Sequence, residues 1–237
     1  MGFDDVLGGR FPGAVSQSVY ANTVHGALYQ LGFQRSTAIA CIAVCRDEIC
    51  APFRQDLEQT WGDSFDASAL AGVPTLGPRA MATVLSHAPG TDGRRRVVAF
   101  GLAHVGIDRD GTVGVVERHG LPSTACGALV ALRSAMVSGD FDTAFIEDEP
   151  ELSVLGARLA SRLPDDRVPD LVELTIAAHD EIAARLSGDL AAGVDTARDD
   201  CAVATGVLVH GPGGRSYVWP GYLYAVVEGR RHDLAFD

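Results

Sequence analysis

Cys45-Arg46-Asp47-Glu48 follows directly on the apolar run Ala38-Ile39-Ala40-Cys41-Ile42-Ala43-Val44. Small and β-branched residues in one uninterrupted run predict a buried strand. The thiol, the cation and the two carboxylates then stand at its carboxyl end, where α/β folds bind their ligands. An imidazole and a second thiol occupy similar settings downstream. Val97-Val98-Ala99-Phe100 predicts another strand, leading through Gly101-Leu102-Ala103 to His104. Ser123-Thr124-Ala125-Cys126 predicts a loop that opens a helix, since Ser and Thr are good N-caps and Ala-Leu-Val-Ala-Leu follows. Two thiolates and one imidazole suit Zn2+, and three protein ligands leave one coordination position for water. Zinc lowers the pKa of bound water from about 15.7 to roughly 7, so the chemistry on offer is attack of hydroxide on a small electrophile such as CO2.

Each of these residues also has a plainer role open to it. Cysteine is often a small apolar filler, which is the expectation for Cys41, Cys50 and Cys201. Cys45 and Cys126 stand where apolar sequence meets polar, so packing and chemistry are both open to them. His104 lies on an apolar stretch that suits a core histidine, and Asp47 and Glu48 suit a solvated strand end or a helix cap. His119 rivals His104 as third ligand, being closer in sequence to Cys126. A thiol enzyme with Cys45 as nucleophile and His104 as base is a further alternative.

Taken in order, several short motifs resemble the limiting-CO2-inducible protein B/C family, the β-carbonic-anhydrase-like group also called the theta class. They are Phe11-Pro12-Gly13, Gly32-Phe33, Cys45-Arg46-Asp47-Glu48, His104-Val105-Gly106-Ile107-Asp108, Gly111, Gly114, Arg118 and Ser123-Thr124-Ala125-Cys126-Gly127-Ala128-Leu129. His210-Gly211 and Trp219-Pro220-Gly221-Tyr222 extend the likeness over nearly the whole chain. The resemblance implies an α/β fold, a β-carbonic-anhydrase-like central sheet flanked by helices. It also implies zinc held by Cys45, His104 and Cys126 with Asp47 beside the metal, reversible hydration of CO2 to bicarbonate through zinc-bound hydroxide, and a homodimer. The alternative it carries is a catalytically silent zinc-binding homologue acting in inorganic-carbon sensing or as a scaffold.

Ordinary β-carbonic anhydrases have Cys-x-Asp-x-Arg and His-x-x-Cys motifs. Here Ile49 stands at the arginine position and Ser123 at the histidine position. Arg46 is therefore the first candidate to support Asp47 catalytically, with Arg118 second. Neighbouring residues on a strand point to opposite faces, so Arg46 reaches Asp47 only if the chain has already turned. An arginine keeps such a carboxylate ionised and turned towards its partner, and without one Asp47 could swing onto the zinc and close the site.

Composition narrows the other possibilities. The 237 residues are 47% hydrophobic and 21% charged, enough for one substantial core, and residues 1–237 are expected to form a single domain. A net charge of −12 argues against nucleic acid and anionic membrane surfaces as partners. Arg94-Arg95-Arg96 is the only basic cluster and is expected to be a solvated loop. All 19 basic residues are arginine, which excludes Schiff-base, pyridoxal phosphate, Ser-Lys and P-loop chemistry. Five irregularly spaced cysteines fit a reducing cytoplasm, and no apolar run approaches the roughly 18 residues of a membrane span.

The elements that must position the site follow from the pattern. Ser16 to Leu31 predicts an amphipathic helix ended by Gly32, Pro52 to Phe65 a loop or short helix, and Pro78 to Leu85 a helix. Val113 to Glu117 predicts a strand after a turn at Asp108-Gly111, and Ala128 to Met136 a helix whose dipole favours the Cys126 thiolate. Pro150 to Leu163 and Pro169 to Leu186 predict packing helices. Val203 to His210 and Tyr217 to Val227 predict a closing hairpin around Gly211-Gly214. His210, at its strand end, could reach the pocket or serve as a structural hydrogen-bonding group.

Overall fold

The computed structural model describes residues 1–164 and 166–236. Helix α1 (Phe3–Arg10) and the short strand β1 (Val15–Ser16) lead into helix α2 (Gln17–Tyr29), capped by Ser16 Oγ accepting from Val19 N–H. The run at 38–43 forms strand β2 (Ala38–Ala43), buried throughout because it lies between two parallel neighbours. Helix α3 (Ala51–Trp61) and strand β3 (Ser64–Asp66) follow, so the segment from Pro52 is mainly helix, with Pro52 in its first turn. Helix α4 (Pro78–Ser86) then returns the chain to strand β4 (Arg96–Gly106).

Strand β4 extends well past Phe100, through Gly101 to Gly106, and all 11 of its residues are buried. His104 is therefore itself a strand residue, beyond the end expected at Phe100. The small residues that follow Phe100 are needed for packing. A Cβ at Gly101 would lie 2.4 Å from Ile182 Cγ2 and 2.5 Å from Leu186 Cδ1.

A separate two-stranded hairpin comprises β5 (Val115–Arg118) and β6 (Leu121–Thr124). Ser123 and Thr124 thus lie in or at the end of a strand, and Cys126 itself is the N-cap of helix α5 (Gly127–Ser138). Helices α6 (Pro150–Ala160) and α7 (Leu171–Gly193) complete the helical set, α7 starting with a reciprocal Asp170–Glu173 capping box. Strands β7 (Asp200–His210), β8 (Ser216–Val227) and β9 (Arg230–Asp233) close the chain.

The main sheet has seven strands in the order β1-β8-β7-β4-β2-β3, with β9 pairing β8. Strands β3, β2, β4 and β7 are mutually parallel, and β8 is antiparallel to β7. Phe100 meets Trp61 of α3, ring centroids 5.9 Å apart, whereas Gly101 faces α7. Adjacent strand residues face opposite sides, so α3 and α7 cover opposite faces of the sheet. Among the described residues no helix is long and apolar enough to cross a membrane.

The expected solvated loop at Arg94-Arg95-Arg96 is instead an ion-pair network. Arg94 and Arg96 pair with the fully buried Asp200, Arg95 with Asp199, and Arg96 with Asp92. A carboxylate at 0% exposure needs such partners, and Asp200 also accepts from Glu228 N–H.

Candidate metal centre

Strands β2 and β4 are neighbours whose chains leave their carboxyl ends in different directions, β2 towards β3 and β4 towards the β5–β6 hairpin. A crevice at such a point is where open parallel sheets bind ligands. Cys45 lies just beyond β2, held by a bridge to Ala69, and His104 lies near the end of β4. Gly106 joins the hairpin to the sheet. Its N–H donates to Ala125 O at 2.8 Å and its carbonyl accepts from Gly114 N–H. A Cβ at Gly106 would lie 2.4 Å from Val116 Cγ1 and 2.8 Å from Val115 O, so only glycine allows the hairpin this close. Ala125, so fixed, places Cys126 beside His104.

The donor atoms of Cys45, His104 and Cys126 lie within 4.8 Å of one another, all buried. Cys45 Sγ and Cys126 Sγ are 3.8 Å apart. Two zinc–sulfur bonds of about 2.3 Å at a tetrahedral angle give nearly that separation. Both ring nitrogens of the fully buried His104 have no hydrogen-bond partner in the protein. An unanswered buried polar atom costs roughly 1–3 kcal/mol, and a metal would answer one of them. The donor set and geometry therefore fit a zinc-type ion. Cys45 is pulled down to about 4, first by a hydrogen bond from Cys126 and then, against the opposing effect of burial, by His104. Cys126 is pushed well up by the same bond and by burial, so its S–H donates to the Cys45 thiolate.

Asp47 stands at the edge of this group. Its Oδ2 is 4.0 Å from His104 Nε2, and its Oδ1 accepts from Arg118 Nη2 at 2.7 Å and from Ile49 N–H at 3.4 Å. Burial raises its pKa, opposed by His104, the Ile49 amide and Arg118. Arg118 also pairs with Glu48 and donates to Thr124 O. Arg46 is not the partner of Asp47. Its guanidinium points away, to Glu151 Oε1 at 2.6 Å and Ser68 O at 3.2 Å, since the chain has not turned far enough to bring adjacent side chains together. The second candidate, Arg118, takes that place from the hairpin.

His119 is not near the centre. It forms, with Gly120, the two-residue turn between β5 and β6, both at positive φ, and it is exposed. Two residues given mainly structural roles in the sequence do approach His104. Cys50 Sγ lies 3.8 Å from His210 Nε2, and the His210 ring meets that of His104 edge-on with centroids 5.4 Å apart. Burial pushes His210 well down and Cys50 well up. His210 at the end of an apolar strand was the one signal for this group. Nothing near Cys50 distinguishes it from a packing cysteine.

Fold and site together define a class of protein: an open, mainly parallel α/β sheet bearing a buried centre of two thiols and one imidazole at its strand ends. Residues 14–227 match the family described as limiting CO2-inducible proteins B/C, β-carbonic anhydrases. The chain belongs to this family, and its fold is the helix-flanked, β-carbonic-anhydrase-like sheet expected from the sequence. Among solved structures it is similar to the limiting CO2-inducible protein LCIB, at 29% identity over 97% of each chain and a TM-score of 0.81. It is also similar to PtLCIB4, a homologue of LCIB, at 21% identity over 97% of this chain and 98% of the other, with a TM-score of 0.78. The latter likeness bears on the fold alone. A comparison with curated proteins finds no match.

Proposed function

We propose that this protein is a zinc-dependent carbonic anhydrase that hydrates CO2 reversibly to bicarbonate, with Cys45, His104 and Cys126 holding the metal. The observation that carries this reading is the Arg118–Asp47 pair beside the three donors. When bound, zinc supplies a Lewis acid that brings the pKa of water towards neutrality. The chain's own part is to orient that water. Asp47 Oδ1 is taken by Arg118 and the Ile49 amide, so Oδ2 alone is turned to the centre, where it can accept a hydrogen bond and direct the water's lone pair at CO2. Arg118, with His104 and the Ile49 amide, opposes the rise that burial gives the carboxylate's pKa, and its hydrogen bond holds Oδ1 back from the ligand position. We extend the proposal to a homodimer on the family likeness.

Stopped-flow CO2 hydration by protein of verified zinc content, at mildly alkaline pH, tests this. Turnover well above buffer, lost in Cys45→Ser and in Asp47→Ala, is the expected result. Background rates from fully zinc-loaded wild type would sink the enzymatic reading and favour a silent zinc-binding homologue. Stoichiometric zinc lost on Cys126→Ser separates either from a thiol nucleophile at Cys45.

A further inference from the structure

A second set of donors shares His104 with the proposed centre, and its other two members, Cys50 and His210, take no part in that chemistry. Cys50 Sγ, a His104 nitrogen and a His210 nitrogen lie within 4.8 Å of one another, and all three residues are buried. A thiol–imidazole hydrogen bond accounts for the Cys50–His210 contact alone. Three further features point to a metal ion. His210 Nδ1 lies 3.2 Å from Ser216 Oγ, which fixes the ring and leaves Nε2 facing the cluster, as expected of a ligating histidine. Cys50 is the N-cap of α3, whose 11 residues turn the positive end of their dipole towards its sulfur and so offset part of the burial that otherwise holds the thiol protonated. Both nitrogens of the fully buried His104 are unpartnered, so one still lacks a partner when the other serves Cys45 and Cys126.

His210 also lines an open cavity of about 550 Å³ that it shares with Asp56, Glu117 and Ser216, and none of Cys45, His104 and Cys126 lines it. We propose that Cys50, His104 and His210 form a second position for a zinc-like divalent ion, alternate to the first because His104 belongs to both, and reached from this cavity past His210. The proposal rests on the reading of Cys45, His104 and Cys126 as the first position. An ion arriving from solvent meets His210 and Cys50, then passes to Cys45 and Cys126 by exchange at His104. Cys50 releases its thiol proton to solvent as the ion binds; as the ion moves on, the proton shared by Cys45 and Cys126 leaves and Cys50 takes one up, so that one proton is released in the first stage and none is gained or lost overall in the second.

Co2+ is the probe, because its thiolate charge-transfer absorption reports the number of bound sulfurs. The wild-type chain is expected to bind one Co2+ with a two-thiolate spectrum. The Cys45→Ser/Cys126→Ser double variant is expected to bind one Co2+ with about half that charge-transfer intensity, and to lose it when Cys50→Ser is added. In the otherwise wild-type chain, His210→Gln is expected to leave the final spectrum unchanged while slowing Co2+ uptake at least about tenfold. A double variant that is folded by circular dichroism yet binds no Co2+, or uptake unaffected by His210→Gln, overturns the second position. A one-thiolate wild-type spectrum, lost with Cys50→Ser and kept with Cys126→Ser, overturns the first position instead.

Discussion

Asp47 has one oxygen free for the proposed reaction because Arg118 and the Ile49 amide occupy the other. Losing Arg118 would free the carboxylate to turn onto the proposed metal. Arg118→Ala is therefore expected to lower kcat/KM for CO2 hydration about 10–100-fold with zinc content intact. Arg46→Ala removes a half-exposed pair with Glu151 and a hydrogen bond to Ser68 O, neither of them to Asp47, and is expected to change it by less than about twofold. Equal losses in the two variants, measured by stopped flow, would contradict this assignment of roles. Cys45 and Cys126 stand out in the sequence because each lies where an apolar run meets polar residues, whereas His104, on an apolar stretch, is singled out only by the family resemblance. The partner of Asp47 is not legible there, since Arg118 lies 71 residues away and reaches it only after the hairpin has folded against the sheet. For the same reason Arg94-Arg95-Arg96 reads as solvated: Asp199 and Asp200, which neutralise it, lie more than 100 residues along the chain.

Strand β4 decides where two of the elements sit, through glycines that lie beyond the end expected for it at Phe100. Gly101 admits α7 and Gly106 admits the hairpin. Gly106→Ala is expected to destabilise the fold by more than about 2 kcal/mol and to weaken metal binding by displacing Cys126. Denaturant unfolding and metal analysis check both effects, and a variant of native stability and zinc content would argue against this docking role. Helix α7 offers a pH test. Glu173 closes its capping box, and its carboxyl is held down at about 2, first by hydrogen bonding to Arg167 and then by the Asp170 amide. A depressed folded-state pKa stabilises above the unfolded value, ordinarily near 4.5, and that contribution disappears as pH falls towards 2. Glu173→Gln is expected to lower Tm at pH 6 and to converge with wild type near pH 2. A constant Tm difference across that range would exclude the ionised carboxylate as the cause. Helices α4, α6 and α7 are legible from prolines near their starts and α2 from its apolar positions, whereas α1 carries no such signal. The extent of β4 is not legible, because Gly101, Ala103 and Gly106 carry no strand signal until their neighbours are in place.

For the molecule as a whole, the proposed metal would be coupled to the fold. Chelating it would leave two close thiols and a buried imidazole without their ligand role, and is expected to lower Tm by on the order of 5 °C. Thermal scans with and without chelator check this, and an unchanged Tm would count against the centre. A particle mass near twice 24.9 kDa by light scattering is the expectation for the proposed homodimer, and a mass near 24.9 kDa would refute it. The alternation of buried parallel strands with helices made the overall class legible, whereas the contacts between distant elements emerged only in three dimensions. The hairpin, which forms its own two-stranded sheet, carries the Asp47 clamp, while Cys45 and His104 belong to the main sheet. The same hairpin also seats Cys126, yet Arg118 itself is none of the three donors. If Arg118 orients Asp47 as proposed, a relative can keep every donor and lose turnover through one substitution in that short hairpin, so sorting relatives by their donors alone would not separate active from silent members.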